Sequence, residues 1–527
     1  MRLRRKLLAA ASALLAGLAG AVVATAAHAV GPASLPVTVT NTTGRGDAVY
    51  LYVIGVQLSS GRLGYVTSGG AFVPWSGGQI PPSPAPDASI PGPGNGGSTT
   101  IQFPRGFSGR VYFALGQKLK FFLTPDGLVQ PAPWAPGDAN RDILFDWSEF
   151  TYNDSGLWLN SSQVDMFAVP HAVTVTGANG VTKRTGDLVA NGRNAVIDGI
   201  RAQSGWATTV YTRSDGTVLR VLAPGKAAGA GLLSATYLDS YIASAWNAYT
   251  TKTLTVVPFA NQPTTRYYGR TSGNTMTFTN GSGQAVASFN RPSSASVWGC
   301  DGDLPAPNDQ VVGPISRTLC AALNRGTLGT IDTQPSTNPA DFYRNNPTNQ
   351  YARLIHANMT DGKAYAFAFD DVGGFESLVY DGDPRGAGLI LSPFNGGGTG
   401  TGVAVVSNWN NKCIDVPQSN FVDRTPLQMW NCNNTNAQKW TFSGTALKSQ
   451  NNKCMDVDGG STANGAVVQL YTCNGTGAQQ FVLNAAGDLV NLQANKCVDI
   501  KDWNGADGAR LQLWDCAGTA NQKWHKG

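Results

Sequence analysis

The chain has 527 residues, of which only 13 per cent are charged, and its 38 Lys and Arg stand against 33 Asp and Glu. Arg2, Arg4, Arg5 and Lys6 account for four of the basic residues, so the chain beyond them holds 34 basic against 33 acidic residues. That balance excludes the electrostatic footprint of a nucleic-acid binder, and the length exceeds what one hydrophobic core organises.

The basic opening is followed by a small-apolar run from Leu7 to Ala27 and by Ala27-His28-Ala29. This pattern predicts a secretory signal peptide over residues 1–29, cleaved after Ala29. A membrane anchor is the competing reading, since about 20 apolar residues span a bilayer, but the Ala and Gly content makes this run weakly hydrophobic. Arg4-Arg5 is a loose match to a twin-arginine signal. No later segment is apolar enough to span, so a soluble, secreted, extracellular protein without a membrane partner is expected.

Short β-type runs come next, at Pro36 to Thr40, Val49 to Leu58, Thr99 to Phe103 and Gly109 to Leu115. Gly and Pro separate them, and Pro81 to Gly97 is too proline-rich to be anything but a loop. Such spacing predicts a barrel or sandwich. Trp75 and Trp134 sit in loops, where they either line a groove or plug the core.

The runs Ile143 to Tyr152 and Val164 to Val169 flank a polar stretch containing Asn153, Asp154, Ser155, Gly156, Asn160, Ser161 and Ser162. Antiparallel pairing about that stretch would turn Glu149 and Asp165 towards a common space. Two carboxyls so placed suit glycoside hydrolysis. Ordinary solvent-facing strand residues are the competing reading, and Asp142, Asp146 and Asp154 are equally acidic neighbours.

Farther on, Leu232 to Thr250 has helical periodicity and Asp187 to Gln203 a weaker one. Strand-like runs follow at Thr253 to Phe259 and Met276 to Phe289, so this part reads as an α/β lobe. Cys300 and Cys320 are expected to form a disulfide in an exported protein. The four histidines are scattered, which argues against a metal, and nothing calls for another cofactor. In Ala364 to Leu378 an aromatic run precedes Asp370, Asp371 and Glu376, which are either turn residues or further candidates for the site.

After the flexible stretch 394–402, Asn-Lys-Cys recurs at 411, 452 and 495, a period of 41 to 43 residues. Each first cysteine precedes a second by nineteen positions, giving Cys413/Cys432, Cys454/Cys473 and Cys497/Cys516. Each second cysteine ends a strand pattern, LQMWNC, VQLYTC or LQLWDC, and is followed by Gln438-Lys-Trp440, Gln479-Gln-Phe481 or Gln522-Lys-Trp524. Three repeats with one aromatic apiece describe a pseudo-threefold β structure around a shared core.

Two resemblances extend this reading. The segment from Glu149 through Asp165, with Thr151, Asn153, Trp158 and Ser162 between, resembles the active-site stretch of glycoside hydrolase family 64, the inverting β-1,3-glucanases that release laminaripentaose. It implies Glu149 as general acid, Asp165 as general base, and Thr151, Asn153 and Trp158 as contacts to the glucan. The similarity spans most of Val30 to Leu391, and Ala364 to Leu378 resembles the last core segment of thaumatin-like proteins.

The implied fold is mainly β. A thaumatin-like β lobe at about 30–185 and 340–393 and an α/β lobe at about 186–339 form a groove, and residues 403–527 follow as a separate module. The repeats resemble the ricin-B-type β-trefoil, carbohydrate-binding module family 13, with one disulfide inside each. In that family an Asp after the first Cys, a Gln and an aromatic before the second, and an Asn-Gln pair after it hold a sugar. The third repeat has all five, Asp499, Gln512, Trp514, Asn521 and Gln522. The first has Asp415, Gln428, Trp430 and Gln438, and the second Asp456, Gln469, Tyr471 and Gln479, with Ala437 and Ala478 in place of Asn.

Together these imply a secreted monomeric endo-β-1,3-glucanase whose partners are β-1,3-glucan and the sugar ligands of the trefoil. A non-catalytic glucan- or wall-binding protein is the alternative. A hydrolase of another polymer is a third reading, because such modules accompany xylanases too.

Overall fold

The computed structural model describes residues 31–394, 403–433, 435–443, 445–449 and 453–527. The expected leader and the glycine-rich tether at 395–402 lie outside the described residues. The chain divides into two compact units, one running to Asp187 and resuming over Ala195–Ser392, the other formed by Leu188–Asn194 with Pro393–Gly527.

Two sheets build the β part of the first unit. A five-stranded sheet runs in the order Thr182–Thr185, His171–Gly177, Pro384–Leu391, Ser34–Asn41 and Ser98–Pro104. Its Ser34–Asn41 strand alternates strictly, sending Leu35, Val37 and Val39 inward at no exposure. An eight-stranded sheet packs against it, with Leu378–Asp381, Gly156–Ser161, Leu144–Asn153, Phe107–Leu115, Val49–Gln57, Arg62–Val66 and Phe72–Pro74 in that order, and Ile90–Pro91 beside Val49–Gln57. Phe103 of one sheet stacks on Phe150 of the other at 3.6 Å between ring centroids. Phe150 therefore faces the sandwich interior, and the period of two turns Trp147, Glu149, Thr151 and Asn153 to the opposite face. Burying one such ring contributes about 1.5–3 kcal/mol, so the register that turns Glu149 away from the sandwich interior is fixed by the core behind it.

The second part of this unit joins a five-stranded sheet to helices Asp239–Ala248, Ser294–Gly299 and Val312–Arg325 around a core containing Trp246, Phe278, Ile315 and Leu319. The Cys300–Cys320 disulfide ties the last two helices together. The helix expected over Leu232 to Thr250 starts only at Asp239, because the Leu238 amide donates to Ser294 Oγ and the preceding residues form turns. The run Met276 to Phe289 is two strands, Thr275–Thr279 and Ala285–Asn290, since Asn280 Oδ1 accepts the amides of Ser282 and Gln284 and closes a turn. The aromatic run Ala364 to Leu378 is turn-rich, with a single bridge from Tyr365 to Ser162 before strand Leu378–Asp381 begins.

In the second unit three similar sets of strands enclose one core, to which Trp440, Phe481 and Trp524 contribute at 0, 1 and 1 per cent exposure. Trp440 Nε1 donates to Ile414 O and Trp524 Nε1 to Val498 O, both at 3.1 Å. The three intra-repeat disulfides Cys413–Cys432, Cys454–Cys473 and Cys497–Cys516 are all formed.

Candidate active site

The expected pairing about Asn153 to Ser162 is corrected by the structure. The hairpin is much tighter: Asn153-Asp154-Ser155-Gly156 is the turn, and Gly156–Ser161 is itself the strand that pairs with Leu144–Asn153. Gly156 is required there, since it adopts φ +120° and an added Cβ would lie 2.2 Å from Asp381 O. Glu149 is consequently opposite Asn160, and Thr151 is opposite Trp158. Asp165 lies beyond the hairpin altogether.

Cross-strand rungs assemble the face that Glu149 shares. One rung runs Tyr65, Ile54, Arg110, Glu149 and Asn160, and the next places Ser108, Thr151, Trp158 and Tyr380 side by side. Trp158 and Tyr380 pack at 4.7 Å, as do Tyr65 and Trp75, so aromatic pairs flank the charged rung on both sides. The Thr151 hydroxyl is bonded to that of Ser108 at 2.7 Å, and Asn153 Oδ1 accepts the Ser155 amide in the turn.

Asp165 is delivered by different contacts. Its carbonyl accepts the Ala223 amide, and Met166–Phe167 pairs with Val218–Leu222. Behind it, the fully buried Asp146 accepts the amides of Ala168 at 2.8 Å and Val169 at 3.1 Å through one oxygen. Ala223 leads into the short helix Pro224–Gly229, which brings Lys226 Nζ to 3.1 Å from Asp165 Oδ1.

Arg110 joins the two carboxylates. Its Nη2 is 2.9 Å from Glu149 Oε1 and 3.4 Å from Asp165 Oδ2, legs that cap the separation of those two oxygens at 6.3 Å. The guanidinium lies 4.5 Å over the Trp147 ring, and Lys226 Nζ lies 4.5 Å over Trp134. Burial would raise the Asp165 carboxyl, but Lys226 and Arg110 outweigh it and hold the group below the ordinary carboxylate value. The Ser162 hydroxyl donates to Glu149 Oε2 at 3.5 Å, while the Glu149 amide donates to Asn160 Oδ1 at 3.1 Å. An ionised carboxylate and a second carboxyl, kept apart by a shared cation on an aromatic-lined face, form an arrangement able to run acid–base chemistry on a sugar polymer.

In the second unit the strand register sets each aspartate opposite a glutamine: Asp415 to Gln428, Asp456 to Gln469, and Asp499 to Gln512. Those glutamines donate to their aspartates at 2.8, 3.0 and 3.0 Å. Gln438, Gln479 and Gln522 donate to the other oxygen at 3.2, 3.1 and 3.0 Å. Each of these three also accepts an amide, from Asn433, Asn474 and Ala517, and donates to a carbonyl, of Asn431, Thr472 and Asp515, so they brace the aspartate from behind. Asn521 adds a 2.7 Å bond to Asp499 that the buried Ala437 and Ala478 have no means to supply. Burial raises Asp415 and Asp456 in spite of their glutamine bonds. Trp430 and Trp514 stand 39 and 43 per cent exposed beside these buried polar groups, and Tyr471 is half-buried.

Residues 33–391 match the family model described as glycoside hydrolase family 64, β-1,3-glucanase, about two thirds of the chain. This chain belongs to glycoside hydrolase family 64. Residues 401–524 match the ricin-type β-trefoil lectin domain. The chain is 45 per cent identical over 457 residues to a glucan endo-1,3-β-glucosidase of Arthrobacter sp. (strain YCWD3), covering 83 per cent of this chain and 82 per cent of that one. A glucan endo-1,3-β-glucosidase of Cellulosimicrobium cellulans is 44 per cent identical with the same coverage. Among solved structures, a laminaripentaose-producing β-1,3-glucanase in complex with laminaritetraose superposes with a TM-score of 0.67 at 56 per cent identity, covering 69 per cent of this chain and 99 per cent of the other. The family 64 domain from Clostridium beijerinckii gives 0.57 at 25 per cent identity, covering 68 and 98 per cent.

Within this family 64 chain, Glu149, Thr151 and Trp158 lie on neighbouring rungs of one sheet face, with Asn153 at its turn end. Among the described residues, Asp165 is joined to Glu149 by Arg110. Arg110 and Lys226 escaped the sequence reading, and Asp146 entered it only as an acidic neighbour of Glu149. Arg110 stands in an unremarkable strand, and Lys226 is 61 residues beyond Asp165, so neither carries a local signal. Asp146 is an acid inside an apolar strand, a signal that was present, since a buried carboxylate requires partners.

Proposed function

We propose that this chain is an inverting endo-β-1,3-glucanase that cleaves β-1,3-glucan to laminaripentaose, with Glu149 as general acid and Asp165 as general base. The observation that carries the reading is the Glu149–Arg110–Asp165 bridge on the aromatic-lined face, in a chain of this family. Asp165, held ionised by Lys226 and Arg110, is suited to take a proton from water. Glu149 delivers its proton to the glycosidic oxygen, while Thr151, Asn153 and Trp158 hold the flanking glucose units. Inverting carboxyl pairs stand about 6.5–9.5 Å apart to admit a water; the two oxygens bridged by Arg110 are at most 6.3 Å apart, so the inverting reading rests on the family resemblance and not on this spacing. The protein is secreted, an assignment supported by the basic-apolar leader and by four disulfides, which suit an oxidising compartment.

The trefoil holds the enzyme on insoluble glucan and raises its local concentration there. The test is chromatography of the products of laminarin and curdlan with the wild type and Glu149→Gln. The wild type should release chiefly the pentasaccharide, and the variant should lose hydrolysis while still sedimenting with curdlan. Equal hydrolysis by the two would refute the reading.

A further inference from the structure

Three tryptophans are exposed among the described residues, Trp430, Trp503 and Trp514, and all three belong to the trefoil. Trp430 and Trp514 stand beside the buried polar groups of the first and third repeats. Trp503 is the most open of the three, at 50 per cent, and no sugar site described above uses it.

Its backbone argues against a packing role. Each repeat makes the same turn three and four residues after its aspartate, with two successive residues at positive φ: Gln418 and Ser419 at 53° and 55°, Gly459 and Gly460 at 61° and 63°, Asp502 and Trp503 at 55° and 52°. Glycine adopts that conformation freely and a bulky aromatic does so at a cost. The second repeat forms the turn without any side chain, so the fold itself does not call for a tryptophan there. Half exposed, Trp503 recovers little of the cost by burial, and strained residues of this kind gather where ligands are held.

A second tryptophan fixes the first in place. Trp409 packs on the trefoil core, and its ring meets that of Trp503 edge to face, with 5.4 Å between centroids and 90° between planes. The pair closes the junction between the third repeat and the first, since Trp409 lies four residues before Cys413 and Trp503 four after Asp499. At the equivalent junction between the second repeat and the third, Gln493 Nε2 donates to Gly460 O at 3.1 Å. A hydrogen bond serves there, so the aromatic pair is not a demand of the repeat. The residues beside Trp503 in the chain, Lys501, Asp502 and Asn504, are exposed and polar. A single ring in a polar surround is too small an apolar surface for a protein partner and suits a sugar.

We propose that Trp503, braced by Trp409, is a further sugar subsite of the trefoil, whose open ring face stacks on a pyranose ring of a β-1,3-glucan chain. Asp502 accepts from the hydroxyls of that ring and Asn504 Nδ2 donates to them, while Asn504 Oδ1 is taken by the Ala506 amide. Four residues of chain keep Trp503 Cα within about 14 Å of Asp499 Cα, close enough for one glucan chain to occupy the third-repeat site and Trp503 together. The choice of glucan rests on the role given to the trefoil above.

The experiment uses the full chain carrying Glu149→Gln, so that hydrolysis does not consume the polymer, and compares binding isotherms on curdlan with and without a second substitution. Trp503→Gly gives the turn the residue that the second repeat carries there. It should raise the dissociation constant about three- to tenfold with the melting temperature at or above that of the parent, and Trp503→Tyr should keep most of the affinity. Trp514→Ala tests the trefoil's hold on glucan and should also weaken binding. Weaker binding by Trp514→Ala with none lost by Trp503→Gly overturns the proposal alone, whereas no change with either removes the trefoil from glucan binding and the proposal with it. A melting temperature lowered by Trp503→Gly would make Trp503 a packing residue, and a dimer lost with Trp503 would make it a self-association surface; either result overturns the proposal.

Discussion

Asp165 and Asp499 are both nearly buried carboxylates held by nitrogen donors, but the donors differ in kind. Asp165 faces two cations, Lys226 at 3.1 Å and Arg110 at 3.4 Å. Asp499 faces three neutral amides, from Gln512, Asn521 and Gln522, at 3.0, 2.7 and 3.0 Å. Cations fix a charge state and amides fix an orientation. The first suits a group that must exchange protons, the second a group that must present the same lone pairs to every ligand. On the proposed reading, the contrast is one between chemistry at the Glu149–Asp165 face and recognition in the trefoil.

Asparagine substitution at each position should separate the two roles most sharply. Asp165→Asn should lower kcat on laminarin by about 10²–10⁴-fold with sedimentation on curdlan unchanged, whereas Asp499→Asn should leave kcat on soluble laminarin at the wild-type value. Steady-state kinetics and sedimentation on the same preparations decide it, and matching losses in both assays would erase the distinction.

The next largest effect concerns placement. Asp146 holds Ala168 and Val169 behind Asp165. Asp146→Asn should cost about tenfold in kcat with little change in KM, because small misplacements of a reacting group are expensive. Full retention of kcat would show that the pairing of Met166–Phe167 alone positions Asp165.

Removing one cation sharpens the electrostatic half. The folded-state value of Asp165 is depressed, so its ionised form, and the stability it contributes, is present above the unfolded value of 3.8 and lost as pH falls through the folded one. The acid limb of kcat/KM should accordingly lie below 3.8, and Lys226→Met should move it upward. A pH profile that ignores the substitution would contradict the role given to Lys226.

The smallest effects should lie within the trefoil. Asp499→Ala should weaken curdlan binding more than Asp415→Ala, on the order of tenfold against a few-fold, since Asp415 lacks the bond that Asn521 gives Asp499. Ala437→Asn should narrow that gap. Binding isotherms that rank the two repeats the other way would place the stronger site elsewhere.

How much of this was legible in the chain differs between the units for a physical reason. The trefoil repeats itself, so the equal spacing of Cys413/Cys432, Cys454/Cys473 and Cys497/Cys516 exposes both the fold and the buried aromatics Trp440, Phe481 and Trp524. The groove does not repeat. Its strand period set Glu149 and Thr151 on one face, but the tight turn at Gly156 was hidden among several turn formers, and Asp165 was therefore assigned to the wrong pairing. Arg110 and Lys226 reach the site only through long-range contacts, which no local pattern encodes. Asp370 was legible as an acid, but its capture by Arg325 and His356 needed the fold.

The most direct measurement is proton NMR of the anomeric region during the first minutes of laminarin hydrolysis. An initial α-anomer, followed by slower mutarotation, is the result expected of water activated by Asp165 while Glu149 protonates the leaving oxygen. An initial β-anomer would contradict the account, because it would make one of these carboxylates a nucleophile.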